Sequence, residues 1–103
     1  MTETKIDISR ASKAIRDSRF VEALSMLESN LAKDPDHLES LYFAAVCSRY
    51  LKNYKDSQKY LENLLIKAPD MGRAYQELGH LSKAVGNEEN AASNYRQACE
   101  LNP

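Results

Sequence analysis

The stretch RAYQELGHLS (residues 73–82), followed by AASNYRQA (91–98), decides the fold of this 103-residue chain. Its small and apolar positions Tyr75, Leu78, Gly79 and Ser82 recur at steps of three and four residues. This spacing puts them on one face of a helix, and residues 91–98 repeat it on a second helix. The stretch therefore predicts two amphipathic helices that pack against each other.

The same pattern occurs in the rest of the chain at a period of 34 residues. The three prolines, Pro35, Pro69 and Pro103, mark this period and divide the chain into units 4–37, 38–71 and 72–103. When the three units are aligned, each set of three equivalent positions forms a column. Three columns hold only small residues, and a fourth holds large ones: Ala11/Ala45/Gly79, Ala14/Ser48/Ser82, Ala23/Ser57/Ala91 and Leu27/Leu61/Tyr95. Small side chains at matching positions let helix axes approach closely, so the columns predict three similar helix pairs.

Local residues predict where the helices begin and end. Gly86 suits the left-handed end of a helix, and Asn53 and Asn87 suit the N-cap of the next one. Each proline is expected to end a second helix. Asp36, with Glu39 three residues later, predicts an acidic capping box at the start of the second unit.

These features together resemble the tetratricopeptide repeat over essentially the whole chain. The third unit fits best, whereas the first has Asp7 and Arg10 where the family usually has a large aromatic residue and a leucine. We therefore interpret unit 4–37 as an N-terminal cap. The resemblance implies an all-α fold, a right-handed solenoid of three antiparallel helix hairpins that forms one domain, residues 1–103. We expect the domain to be part of a longer protein, or to self-associate through an open apolar C-terminal end.

The resemblance also implies a concave groove lined by the first helix of each unit. Residues at groove positions of the second and third units form the predicted partner-binding site: Tyr42, Val46, Arg49, Tyr50, Arg73, Gln76, His80 and Lys83. Lys5 and Arg16 add positive charge, Glu39 is the opposing acid, and Glu77 is placed at the edge. A basic, aromatic groove favours an acidic protein or peptide partner, because Tyr and Arg are frequent anchors of interfaces.

Two more specific resemblances can be compared with the residues. The carboxylate clamp by which some family members bind heat-shock chaperones corresponds here to Ile8, Ser12, Phe43, Arg73 and Glu77. Since only Arg73 is compatible, we do not expect that specialised function. Residues 73–81, with Ala45–Leu51, also resemble the repeats of bacterial tetratricopeptide–sulfotransferase fusion proteins. This resemblance implies the alternative that the chain is the recognition or dimerisation arm of such an enzyme.

Composition restricts the other functions. A net charge of −1 disfavours bulk binding of nucleic acid, although Tyr42 and Tyr50 leave single-strand stacking as a third option. His37 and His80 have no nucleophile or carboxylate arranged around them, and no phosphate-binding glycine motif occurs, so we predict a non-catalytic chain without metal or cofactor. The absence of a signal peptide and of long apolar runs predicts a cytoplasmic protein. Cys47 and Cys99 are expected to be buried, reduced thiols.

Overall fold

The described part of the chain folds into six α-helices that are paired in order along the sequence. The structure is a computed structural model that describes residues 6–102, so Lys5 and Pro103 lie outside the described residues. The helices are α1 (Ser9–Arg16), α2 (Phe20–Lys33), α3 (Leu38–Tyr50), α4 (Tyr54–Lys67), α5 (Gly72–Ala84) and α6 (Glu88–Leu101). The described part measures 48 × 26 × 22 Å, as expected for hairpins stacked in one direction. The prediction of an all-α solenoid of three hairpins is confirmed.

The turn inside each hairpin is the same in all three units. Ser18, Lys52 and Gly86 take positive φ angles of 60°, 65° and 83°, at intervals of 34 residues. The amide of the following residue then bonds back to a carbonyl five residues earlier: Arg19 N–H to Ala14, Asn53 N–H to Ser48, and Asn87 N–H to Ser82, at 2.7–2.8 Å. This pattern closes the first helix of each pair. Gly86 was predicted from its residue type, whereas Ser18 and Lys52 could be located only from the period.

Two buried clusters join the hairpins. The first connects hairpin one to α3 through Ala11, Ala14, Ala23, Leu27, Ala44 and Cys47. The second connects hairpin two to α5 through Leu41, Ala45, Leu61, Leu64, Ala74 and Leu81. Each cluster contains residues of two consecutive units, because a single hairpin does not enclose its own apolar surface. The stacking of the hairpins is therefore held by the same columns that reveal the repeat.

Gly79 and Tyr95 are a matched exception within these columns. A Cβ atom at Gly79 would lie 2.5 Å from Cε1 of Tyr95, which is closer than carbon atoms can pack. The equivalent residues in the second unit are Ala45 and Leu61, both fully buried. The larger ring at position 95 is thus accommodated by the smaller residue at position 79.

The N-terminal end of the stack is covered by charged side chains. Arg10 and Lys13 are exposed and occupy the positions, one period earlier, of the buried Ala44 and Cys47. In the later units these positions contact the preceding hairpin. A charged side chain at such a position is suited to contact with water, whereas the small apolar residues of the second unit are suited to a packed junction.

The helix caps are partly as predicted. Asn87 caps α6, because its side chain accepts a hydrogen bond from the Asn90 amide at 3.1 Å, but Asn53 occupies the N-cap of α4 without such a bond. The predicted capping box at Asp36 is wrong. His37 is the N-cap of α3 and accepts a hydrogen bond from Ser40 N–H through Nδ1 at 3.2 Å, while Asp36 forms an ion pair with Lys67.

The two cysteines differ in environment. Cys47 is fully buried, and burial raises the pKa of its thiol to about 11. Cys99 is exposed on α6, so the expectation that both thiols are buried is wrong for this residue. It occupies the position of Leu65 in the preceding unit, which packs against the second cluster.

Candidate peptide-binding groove

Helices α3 and α5 lie side by side and bring the predicted groove residues together. Four of these residues come from α3 (Tyr42, Val46, Arg49 and Tyr50) and four from α5 (Arg73, Gln76, His80 and Lys83). We call the surface formed by these two helices the groove. The eight residues differ widely in exposure and in the contacts they form, so they are not equally available to a partner.

Arg73 and Tyr42 connect the two helices at one end of the groove. The guanidinium carbon of Arg73 lies 4.5 Å from the centre of the Tyr42 ring, which is a cation–π contact. Among the described residues, Arg73 has no hydrogen-bond or ion-pair partner. Its position is therefore fixed by stacking, while its N–H groups remain available for an anion.

Arg49 and Glu77 form the central contact between the helices. Arg49 donates hydrogen bonds to both carboxylate oxygens of Glu77, from Nε to Oε2 and from Nη2 to Oε1, the latter at 3.3 Å. Only 2% of the Glu77 side chain and 18% of the Arg49 side chain are exposed. The placement of Glu77 at the edge of the groove is therefore wrong. Its charge is directly opposed to that of Arg49, so the pair adds no net charge to the groove.

Burial and charge act in opposite directions at this pair. Burial disfavours the charged guanidinium, but hydrogen bonding and the nearby charge of Glu77 outweigh it and raise the pKa of Arg49. Tyr42 is also affected, because burial and then the Glu77 carboxylate raise the pKa of its phenol. Both effects keep Arg49 charged and Tyr42 neutral at physiological pH.

Tyr50 is exposed but already stacked. Its ring lies parallel to that of Phe20 from the first hairpin, with centroids 4.4 Å apart and an interplanar angle of 3°. Arg49 also lies over this ring, at 4.5 Å from its centre. Tyr50 thus contributes its ring edge and hydroxyl to the groove rather than a free ring face.

The remaining predicted residues fall into two groups. Val46 is buried and His80 is half-buried, with Nδ1 hydrogen-bonded to the Tyr95 hydroxyl at 2.7 Å. These two residues support the groove from below. Gln76 and Lys83 are exposed on α5 and have no hydrogen-bond partner among the described residues. They are available to a partner together with Arg73.

The exposed charge of the groove is positive once the internal pair is set aside. Among the described residues, Arg73 and Lys83 are the cations left over in the groove, Arg16 adds a third from α1, and Glu39 of α3 is the opposing acid. Nucleic-acid stacking has less support than the sequence allowed, because the rings of Tyr42 and Tyr50 are already in contact with Arg73 and Phe20. Within residues 6–102, no group of three or more His, Cys, Asp and Glu side chains could hold a metal ion.

Sequence reasoning missed the structural role of two residues. Phe20 belongs to the first hairpin, and only the packed structure brings it against Tyr50. Glu77 was recognised as an acid, but its 28-residue separation from Arg49 gave no sign of pairing. One available signal was its position on the apolar stripe of α5, between Ala74 and Leu81, where an acid requires a partner.

Comparison with known proteins identifies the family. Two tetratricopeptide-repeat sequence profiles match the chain, one over residues 14–79 and the other over residues 72–103. The chain belongs to the tetratricopeptide-repeat family. A search of curated protein sequences finds no match. Within residues 6–102, no helix is both long enough and apolar enough to cross a membrane.

Solved tetratricopeptide-repeat structures share the fold at low sequence identity. The first such domain of Spaghetti (RPAP3), bound to the HSP90 peptide SRMEEVD, has a TM-score of 0.84 and 19% identity, over 92% of this chain and 75% of that one. MamA 41-end from Desulfovibrio magneticus RS-1 has a TM-score of 0.80 and 22% identity, over 93% and 54%. A crystal structure of MamA has a TM-score of 0.77 and 18% identity, over 88% and 53%. The chain thus spans about half the length of the MamA chains.

Proposed function

We propose that the chain is a non-catalytic binding module that holds an extended, acidic segment of a partner protein in the groove between α3 and α5. The family makes protein–protein interaction the expected activity. The observation that supports an acidic partner is the stacking of Arg73 on Tyr42 with its N–H groups unpaired among the described residues. A guanidinium held in one place loses little freedom when it binds a carboxylate, and its two parallel N–H groups match the two oxygens.

The neighbouring groups fit the same ligand. Gln76 and Lys83 are exposed on the helix that bears Arg73, so an extended chain along α5 meets further hydrogen-bond donors. Tyr50 presents its ring edge from α3. The structural neighbour Spaghetti binds SRMEEVD, a peptide with three acidic side chains, which supports an acidic segment as ligand of this fold.

The mode of binding should differ from the carboxylate clamp. At the clamp positions, Ile8 and Phe43 pack against the first cluster, and Glu77 is occupied by Arg49. Of the five positions, only Arg73 offers a cation. We therefore propose recognition of side-chain carboxylates within a segment rather than of a chain terminus.

The test is an array of short synthetic peptides rich in Asp, Glu and Leu, paired with the same peptides in which each carboxylate is an amide. We expect the acidic peptides to bind and their amide counterparts to bind at least about tenfold more weakly, since hydrogen bonds between charged groups contribute about 1.5–3 kcal/mol. Equal binding of both sets would contradict the proposal.

Variants then locate the site. Arg73→Glu should reduce the affinity of the best acidic peptide at least about tenfold, because it replaces the free guanidinium by a repelling carboxylate. Arg96→Glu, an exposed charge reversal on α6, is the matched control and should bind as the parent does. Arg49→Glu is unsuitable for this purpose, because it also leaves Glu77 without its partner.

Two alternatives are measured in the same assay. A single-stranded oligonucleotide should bind weakly, and tight binding with a steep salt dependence would favour the nucleic-acid function instead. A role as recognition or dimerisation arm of a larger enzyme, such as a sulfotransferase, or self-association through the C-terminal end, predicts dimers in sedimentation at concentrations where no peptide binds.

A further inference from the structure

A cavity lies away from the groove, between α4 and the turn that joins α5 to α6. It has a volume of about 440 Å³. Tyr54 and the buried Leu81 form its floor with Val85, which is 55% exposed. Lys55, Gln58, Lys59 and Glu62 line it from α4, and Ser82, Asn87 and Asn90 line it from the other side. None of these residues belongs to the predicted groove.

The equivalent positions of the preceding unit indicate which kind of side chain fits this cavity. One period earlier, Phe20 and Leu24 occupy the positions of Tyr54 and Gln58, and both pack against the first buried cluster. At the second junction, Gln58 is exposed. The chain thus covers the first junction with its own leucine, whereas the equivalent side chain at the second junction leaves an apolar floor open to solvent.

The charged side chains at the rim of the cavity indicate which charge a bound partner would carry. Lys55 and Lys59 lie one turn apart on α4, and neither forms an ion pair with another described residue. Glu62 stands one turn further along α4, and Glu88 and Glu89 begin α6 on the far side of the cavity. Asp56 follows Lys55 in the first turn of α4, but neither it nor Glu88 and Glu89 line the cavity. Of the charges that do, the two lysines lie nearest the start of α4, so a carboxylate placed between them would be attracted.

We infer that this cavity is a second protein-binding site, which takes an aliphatic side chain of leucine size from a partner that carries a carboxylate beside it. Leu81, Val85 and Tyr54 contact the aliphatic group. Lys55 and Lys59 pair with the adjacent carboxylate, and the amides of Asn87, Asn90 and Gln58 surround the entrance. The site is independent of the proposed function of the groove, since the two share no residues.

The binding test uses capped tripeptides and amide NMR shifts of the full chain. The probe is Asp-Leu-Asp at millimolar concentration, and the controls are Asp-Ser-Asp and Asn-Leu-Asn. We expect Asp-Leu-Asp to shift the amide signals of Val85, Asn87 and Asn90, and each control to bind at least about tenfold more weakly. No shift with Asp-Leu-Asp, equal shifts with all three peptides, or shifts confined to Tyr42 and Arg73 would overturn the inference.

A cavity-filling variant gives an independent test. Gln58→Leu should reproduce the arrangement of Leu24, fill the cavity from within and abolish the Asp-Leu-Asp shifts while the thermal midpoint is retained or raised. Gln97→Leu on α6 is the matched control and should leave the shifts unchanged. Undiminished binding to folded Gln58→Leu would place the peptide elsewhere and overturn the assignment.

Discussion

Arg49 of the second hairpin and Glu77 of the third form a two-bonded ion pair in which the carboxylate is 2% exposed. The pair lies between consecutive repeats and at the centre of the groove. Its contribution is therefore to fix α3 against α5, and through that contact the position of Arg73 over Tyr42. Replacing both members of such a buried pair by packed apolar side chains is often neutral for stability, whereas removing one member leaves a buried charge unpaired and is strongly destabilising.

This pair yields a prediction on stability. Arg49→Met removes the partner of a buried carboxylate and should lower the free energy of unfolding by about 3–5 kcal/mol. The double variant Arg49→Met with Glu77→Met leaves no buried charge and should lie within about 1 kcal/mol of the parent. Urea unfolding followed by helical circular dichroism measures both values. If the double variant is as unstable as the single one, the effect comes from lost packing and not from the unpaired charge.

The relationship of Gly79 to Tyr95 yields a second prediction. Gly79→Ala should destabilise the chain by about 1–3 kcal/mol, although alanine favours helix, because its methyl group meets the Tyr95 ring. Adding Tyr95→Leu recreates the Ala45–Leu61 pair of the second unit and should recover most of the loss. Thermal and urea unfolding of the two single variants and the double variant determine the coupling. Purely additive effects would mean that the two side chains do not compete for space.

A third prediction compares two buried serines. Ser48 Oγ is fully buried without a hydrogen-bond partner among the described residues, whereas Ser57 Oγ–H donates to the Ala45 carbonyl at 2.9 Å. Ser48→Ala should leave stability unchanged or raise it, as Ala14 occupies this position in the first unit. Ser57→Ala should lower it by about 0.5–1.5 kcal/mol, since it removes a buried hydrogen bond. The reverse order in urea unfolding would show that Ser48 has a partner.

Thiol labelling gives a fourth prediction. At about pH 8 a thiol reagent should modify Cys99 rapidly in the folded chain and leave Cys47 unmodified, because burial excludes the reagent and raises the pKa of Cys47 to about 11. Intact mass should show one label under native conditions and two in urea. The raised pKa also means that Cys47 favours folding up to about pH 9, and that this contribution falls as the pH rises toward 11. Rapid native labelling of Cys47 would indicate that α3 separates from the first hairpin.

The fold could be predicted almost entirely from the sequence. The 34-residue period, the columns of small residues and the apolar stripes are all local or periodic signals, and they follow from how closely helices must pack. The residue types of Gly86 and Asn87 also predicted their roles, a left-handed helix end and an N-cap. Prediction was less accurate where two residue types compete for one role. At the start of α3, Asp36 was the better cap by type, but the chain path puts His37 at the N-cap and directs Asp36 toward Lys67.

The sequence predicted which residues belong to the candidate site, but it did not predict which of them are free to bind a partner. That α3 and α5 would present arginine and tyrosine side chains follows from helical periodicity. Which of those side chains remain free depends on tertiary contacts. Arg49 meets Glu77 and Tyr50 meets Phe20 only when the hairpins stack, and His80 meets Tyr95 only when α5 packs against α6. Local periodicity therefore fixed the helices and their buried faces. Only the tertiary structure decided that, among the described groove residues, Arg49 is paired while Arg73 and Lys83 stay available, because pairing and burial are properties of the packed hairpins.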